Sequence, residues 1–147
     1  MISVAGYELD DGLAYDAEHN LWVQRLSAAV VRVGYDPLGA EATGDIVAIS
    51  LPAVGSEVES GAPLATIEAA KFVGPLPAPV GGTVLAVNDA LVGLPGAINA
   101  DPYGSWIVEL GGVSGEDMNG LVSGVEPVSR WFVDAVARYR AQGVIAE

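Results

Sequence analysis

Hydrophobic and polar positions alternate in short runs along most of the chain. The clearest runs cover residues 22–26, 29–34, 45–51, 64–67 and 83–87, and turn-forming residues separate them. Alternation with a period of two is typical of β-strands that bury one face. The pattern therefore predicts a mainly β protein with about seven to nine short strands, at the spacing of a sandwich or flattened barrel.

Residues 36–43 depart from this alternation and have the features of a short helix. Asp36 is a suitable N-cap, because its carboxylate can accept hydrogen bonds from the first turn. Pro37 fits the first helical position, and Gly44 ends the segment. We predict one short helix near residues 36–43, inserted between strands.

Beyond the last predicted strand, the pattern becomes helical. Ser114 and Asp117 form a capping box, which predicts a short helix to about residue 122. Residues 129–142 have helical spacing, with Phe132 and Val136 on one face. This second helix either packs over the β core or docks a partner protein, and the pattern favours packing.

The length predicts one domain. A chain of 147 residues can build its own core but is too short for two comfortable domains. We predict a single domain over residues 1–147, with a β core at about 13–110 and a C-terminal helical extension at about 114–143.

A single lysine stands at a predicted hairpin tip. Lys71 is the only lysine in the chain, and it lies between a strand-like run and a segment rich in glycine and proline. That order predicts a strand, a tight turn and a second strand. An isolated turn lysine is usually just a solvated charge. An amine presented on a rigid hairpin is also a good acceptor for an amide-linked group.

Composition excludes several classes of function. Nineteen acidic residues against six basic ones give a net charge of −13, which opposes nucleic acids and anionic membranes but favours partners with a basic face. The chain has no cysteine and one histidine, so we expect no disulfide, no thiolate nucleophile and no metal site. No basic leader and no apolar run of about 20 residues is present, so we expect a cytoplasmic protein.

Several motifs resemble one family. Glu68, Lys71 and Gly81-Gly82 match the Glu-x-x-Lys…Gly signature of lipoyl carriers of the glycine cleavage H-protein family. Further pieces that match in order are Val33-Gly34, Gly44-Asp45-Ile46-Val47, Leu51-Pro52-Ala53-Val54-Gly55, Val87-Asn88-Asp89-Ala90-Leu91 and the segment 98–106. The resemblance extends from about residue 13 to residue 110.

This resemblance implies a barrel-sandwich hybrid fold with lipoate in amide linkage to Lys71. It also implies a carrier without catalytic residues, whose partners supply the chemistry. A lipoate-attaching ligase or transferase must then recognise the hairpin. Glu68, Ala70, Phe72 and Val73 are the candidate residues for docking that enzyme or for lining the arm's groove, although Glu68 could equally be a solvated strand residue.

The chain departs from the family at positions that handle an aminomethyl cargo. The family has a carboxylate four residues after the lysine, where this chain has Pro75, and a His-Glu-Trp segment where this chain has His19-Asn20-Leu21-Trp22. Asp16 or Glu18 could substitute in space. A small triplet after the lysine is replaced by bulkier Phe72-Val73-Gly74. A cationic amine needs a carboxylate when it is buried, so these changes suit a different cargo.

The leading hypothesis is therefore a lipoylated carrier that resembles the lipoate-binding proteins of bacterial sulfur oxidation. Its partner would be a cytoplasmic heterodisulfide-reductase-like complex. The alternative is a glycine cleavage H protein that carries an aminomethyl group and works with the glycine cleavage enzymes, including a dihydrolipoamide dehydrogenase. A biotin carrier is disfavoured because Ala70 and Phe72, not methionines, flank Lys71. An unmodified binding module is the last alternative.

Overall fold

The computed structural model describes residues 1–146, so the last residue of the predicted domain, Glu147, lies outside it. The strands are β1 (Ile2–Val4), β2 (Tyr7–Leu9), β3 (Ala14–Asp16), β4 (Leu21–Arg25), β5 (Val31–Tyr35), β6 (Ile46–Ser50), β7 (Glu57–Val58), β8 (Pro63–Ala69), β9 (Val73–Pro77), β10 (Gly82–Val87) and β11 (Val108–Gly111). The helices are α1 (Pro37–Thr43), α2 (Ala90–Gly93), α3 (Ala97–Ala100), α4 (Gly115–Asn119) and α5 (Val125–Ala141).

The strands form three sheets in which all neighbours are antiparallel. A six-stranded sheet has the order β3-β4-β5-β11-β10-β7, a three-stranded sheet has the order β6-β8-β9, and β1 pairs only with β2. None of these sheets closes on itself within the described residues. The architecture is mainly β with C-terminal helices, which confirms the predicted fold class.

Two clusters of buried side chains organise the molecule. The larger cluster joins the two main sheets, with Val33 and Leu110 from the six-stranded sheet and Ile49 and Ile67 from the three-stranded one. Each of these residues occupies an inward position of an alternating strand, as the sequence pattern requires. Burial of this apolar surface is the main stabilising contribution to the β core.

The second cluster joins the two ends of the chain. Leu9 from the N-terminal hairpin packs with Phe132 and Val136 from α5 and with Ile145 beyond it. The ring of Tyr7 meets the ring of Phe132 edge-on, with centroids 5.3 Å apart. The predicted apolar face of the C-terminal helix is therefore buried within the chain, and α5 begins at Val125 rather than near residue 129.

The N-terminal strands were not predicted, because β1, β2 and β3 each contain only three residues and show little alternation. β1 and β2 form a hairpin whose two turn residues, Ala5 and Gly6, have φ values of 51° and 90°. Positive φ at both central positions is the geometry that matches the twist of a two-residue hairpin. No helix within residues 1–146 is long and apolar enough to cross a membrane.

Candidate functional site

Lys71 stands at the tip of the hairpin formed by β8 and β9. Glu68 pairs with Val73, and the backbone N–H of Ala69 donates to the carbonyl of Phe72 at 2.8 Å. Ala70 and Lys71 are therefore the two residues of the tip, and the lysine is exposed. The strand–turn–strand prediction is confirmed in its geometry.

The backbone of the tip is fixed to the end of α1. The N–H of Ala70 donates to the carbonyl of Asp45 at 3.0 Å, and the N–H of Lys71 donates to the carbonyl of Thr43 at 2.7 Å. α1 has the predicted cap, since the N–H of Gly39 donates to the Asp36 carboxylate at 2.7 Å. The base of the lysine side chain is thus held by two hydrogen bonds rather than carried on a free loop.

Gly44 leaves room for the stem of Lys71. A Cβ at position 44 would lie 3.1 Å from Cβ of Ala70 and 3.4 Å from Cε of Lys71. Gly44 also has a φ of 76°, a conformation that costs side-chain-bearing residues energy. The glycine that ends α1 therefore serves both the helix terminus and the close approach of the lysine.

The lysine amine reaches the C-terminal tail, which we define as residues 142–146. Nζ of Lys71 donates to the carbonyl oxygen of Val144 at 3.2 Å. This contact lies 73 positions away along the chain and had no signal in the sequence.

A groove of about 440 Å³ begins beside Gly44. Its walls come from α1 and from Asp45, Asn99 and Pro102, and Glu41 and Asp45 place exposed carboxylates on it. The hydroxyl of Tyr7 donates to Glu41. Burial, and next the hydrogen bond to Glu41, raise the pKa of Tyr7, so it stays a neutral donor that holds this carboxylate.

Asn99 links two sides of the groove by hydrogen bonds. The sequence marks it only as part of the matching segment 98–106. Its Oδ1 accepts from the N–H of Ile46 at 2.9 Å, and its Nδ2 donates to the carbonyls of Ala40 and Gly44. A polar residue after several apolar ones could have marked it, but its partners lie more than fifty positions away.

The outer face of the β6-β8-β9 sheet is apolar near the tip. The exposed fraction is 71% for Val73, 67% for Val47 and 38% for Phe72. Glu68 lies on β8, between β6, which carries Val47, and β9, which carries Val73. Two of the predicted docking residues, Glu68 and Val73, therefore share this face, and Ala70 is exposed at the tip beside it. Val47 belongs to this face as well and was not predicted. The ring of Phe72 lies instead over Gly74, on the opposite face of β9 from Val73.

The structure also shows the surroundings of the residues that occupy the family's two carboxylate positions. Pro75 is an exposed residue of β9, and Asn20 and Leu21 are buried. Asp16 and Glu18 line a different pocket, of about 380 Å³, so the hypothesis that they substitute beside the lysine is wrong. Asp16 instead contacts the single histidine, with Oδ2 2.9 Å from Nδ1 of His19. In the part of the chain that the structure describes, no group of residues could hold a metal ion.

Comparison with known proteins agrees with this architecture. The family model described as glycine cleavage H-protein matches residues 13–130. The glycine cleavage system H protein of Micrococcus luteus is 41% identical over 78% of this chain and 90% of its own length. That of Mycolicibacterium vanbaalenii is 45% identical over 70% of this chain and 79% of its own.

A solved structure resembles the whole molecule. The crystal structure of a glycine cleavage system H protein from Mycobacterium marinum superposes with a TM-score of 0.67 at 30% identity. The match covers 92% of this chain and 98% of the other. It therefore extends beyond the β core into the terminal segments.

Proposed function

The chain belongs to the glycine cleavage H-protein family, and we propose that Lys71 is the residue on which it carries lipoate. Proteins of this family are non-catalytic carrier subunits that hold lipoate on a lysine. The observation that supports Lys71 is its position: the only lysine of the chain stands exposed at a hairpin tip whose backbone is tied to α1.

The residues around Lys71 fit an amide-linked arm. The amine is exposed for acylation, its base is held by two backbone hydrogen bonds, and the groove begins at Gly44, where a Cβ would lie 3.4 Å from Cε of Lys71. Bound lipoate supplies a pair of sulfur atoms that can take up and release a cargo. The chain's own residues provide position and shelter for the arm.

The groove can also serve a cationic cargo. Glu41 and Asp45 supply carboxylates along it, and Tyr7 holds the first of them in place. An ammonium that leaves water needs such a partner. The carboxylates missing at Pro75 and Leu21 are therefore replaced from another part of the fold, which weakens the reason for expecting a different cargo.

We accordingly propose a role in glycine cleavage, with the glycine cleavage enzymes as partners, including a dihydrolipoamide dehydrogenase. The relatives from Micrococcus luteus and Mycolicibacterium vanbaalenii are named glycine cleavage system H proteins, which supports glycine cleavage over a heterodisulfide-reductase-like complex. The hypothesis of sulfur oxidation is left without support from these comparisons. We place the protein in the cytoplasm with these partners.

We also propose that a lipoate-attaching ligase or transferase docks around the tip, on the exposed face of Glu68, Val73 and Val47 and on Ala70 and Phe72 at the tip itself. This surface adjoins Lys71, so an enzyme that acylates the amine must cover it. An attaching enzyme with an apolar recess and basic residues at its rim would complement both the exposed valines and the negative charge of this chain.

The test is the intact mass of the protein from its native host, with Lys71→Arg as the matched control. We expect a lipoyl increment on the wild type and none on the variant. The lipoylated protein should then support glycine decarboxylation with the other glycine cleavage enzymes.

No increment after growth with ample lipoate would overturn the carrier proposal, and a biotinyl increment would replace it. A lipoyl increment that bears a sulfur adduct, in a protein inactive in glycine decarboxylation, would return the function to sulfur oxidation.

A further inference from the structure

The C-terminal tail lies outside the part of the chain that defines the family. The family model ends at residue 130, whereas the tail follows α5 at residues 142–146. The tail nevertheless ends against the proposed attachment site, where the carbonyl of Val144 accepts from Nζ of Lys71 at 3.2 Å.

The tail is held in this position by its own contacts. Gly143 turns the chain with a φ of 72°, and its N–H donates to the carbonyl of Arg140 at 3.1 Å. The N–H of Val144 then donates to the carbonyl of Tyr139 at 2.9 Å. Ile145 is only 6% exposed within the second cluster, so hydrogen bonds before the Val144 carbonyl and burial after it hold the tail against Lys71.

Acylation changes what Lys71 can donate. A free ammonium has three N–H donors, whereas an amide nitrogen keeps only one. With the stem confined beside Gly44, that single N–H has the Val144 carbonyl within reach. A hydrogen bond there fixes the direction in which the arm leaves the protein.

We propose that the C-terminal tail positions the base of the lipoyl arm. The Val144 carbonyl accepts a hydrogen bond from the amide N–H of acylated Lys71, and burial of Ile145 keeps that carbonyl in place. Val144 is then a positioning residue, which limits the sweep of the arm until a partner displaces the tail. The inference rests on the proposed attachment at Lys71.

The composition of the chain makes the test selective. Because there is one lysine, growth on lysine labelled with ¹⁵N at Nζ marks a single side-chain nitrogen, whose amide N–H becomes observable only after acylation. Because there is no cysteine, the thiols of the reduced arm are the only thiols in the protein. Hydrogen exchange of that N–H and alkylation of those thiols by a bulky maleimide both report on the arm without any activity assay.

The variant is Ile145→Asp, which should detach the tail, and Val133→Asp is its matched control because Val133 is exposed on α5. In the lipoylated wild type and the control, we expect the Nζ–H to exchange on the order of five-fold more slowly than in Ile145→Asp. Alkylation should be correspondingly faster in Ile145→Asp.

A chain ended after Gln142 is the second variant, in case the aspartate disturbs α5, and it should behave like Ile145→Asp. Equal exchange rates of the Lys71 Nζ–H in the wild type and both tail variants would overturn the proposal that the tail positions the arm. Absence of the amide signal, with no lipoyl mass, would instead overturn attachment at Lys71 and so the proposed function itself.

Discussion

The two buried clusters differ in how well their polar groups are satisfied. The cluster between the main sheets is built mainly from aliphatic side chains, most of them on strands. Four buried side-chain atoms within residues 1–146 lack a hydrogen-bond partner: two are in Trp131 and Arg140 on α5, and two are in Asn20 and Asp36. Unpaired buried polar atoms cost free energy, and none of these four belongs to a residue of the aliphatic cluster.

The two regions also contribute differently to the proposed site. The β core must hold the hairpin of Lys71 rigidly, whereas the second cluster carries the tail that contacts the lysine and the Tyr7 that holds Glu41. Positioning of the arm therefore depends on contacts outside the aliphatic cluster as well as on the hairpin.

The largest effect should come from Phe132→Ala. Phe132 is fully buried and meets Tyr7 edge-on, so truncation leaves a cavity that should lower the free energy of unfolding by about 3–5 kcal/mol. Urea denaturation would measure it. The exposed neighbour Val133→Ala should change the value by less than about 0.5 kcal/mol. A Phe132→Ala change as small as that of the control would show that the second cluster is not a core.

The next effect concerns Asp36, which is buried with Oδ2 unpaired. Burial raises its pKa to about 8, although the hydrogen bond from Gly39 opposes this. Between its ordinary pKa and about 8, the folded chain binds more protons than the unfolded chain. Its contribution to stability therefore falls as pH rises, by up to about 1.4 kcal/mol per pH unit, and levels off above pH 8.

Asp36→Asn keeps an N-cap but removes the ionisable group. Urea denaturation from pH 5 to pH 9 should show that the free energy of unfolding of the variant increases relative to that of the wild type as the pH rises. Exposed Asp134→Asn on α5 should give a constant difference. Parallel curves for Asp36→Asn and the wild type would mean that Asp36 is ionised at neutral pH.

The smallest effect should come from the outer face of the β core. Val73→Thr keeps a β-branched side chain at an exposed strand position, so stability should change by less than about 0.5 kcal/mol. Loss of one methyl group from a docking contact should lower kcat/KM for lipoylation about four-fold. Val92→Thr, exposed on α2, is the control, and equal rates for both variants would remove Val73 from the docking surface.

Local sequence determined much of this protein. Alternation specified the longer strands, Asp36, Pro37 and Gly44 specified α1, and a lone lysine between two strand-like runs specified the tip. These features depend on residues close together in the chain, where backbone preference, capping and burial periodicity act directly. The matching motifs around Lys71 identified the family for the same reason.

Tertiary structure alone decided the rest. The short N-terminal strands exist because they pack on α5, and the carboxylates of the groove come from α1 and its end instead of the family's positions. Asn99 and Val144 reach partners more than fifty residues away. Such contacts arise only after folding brings distant segments together, because no local preference encodes which backbone carbonyl will stand beside a given lysine.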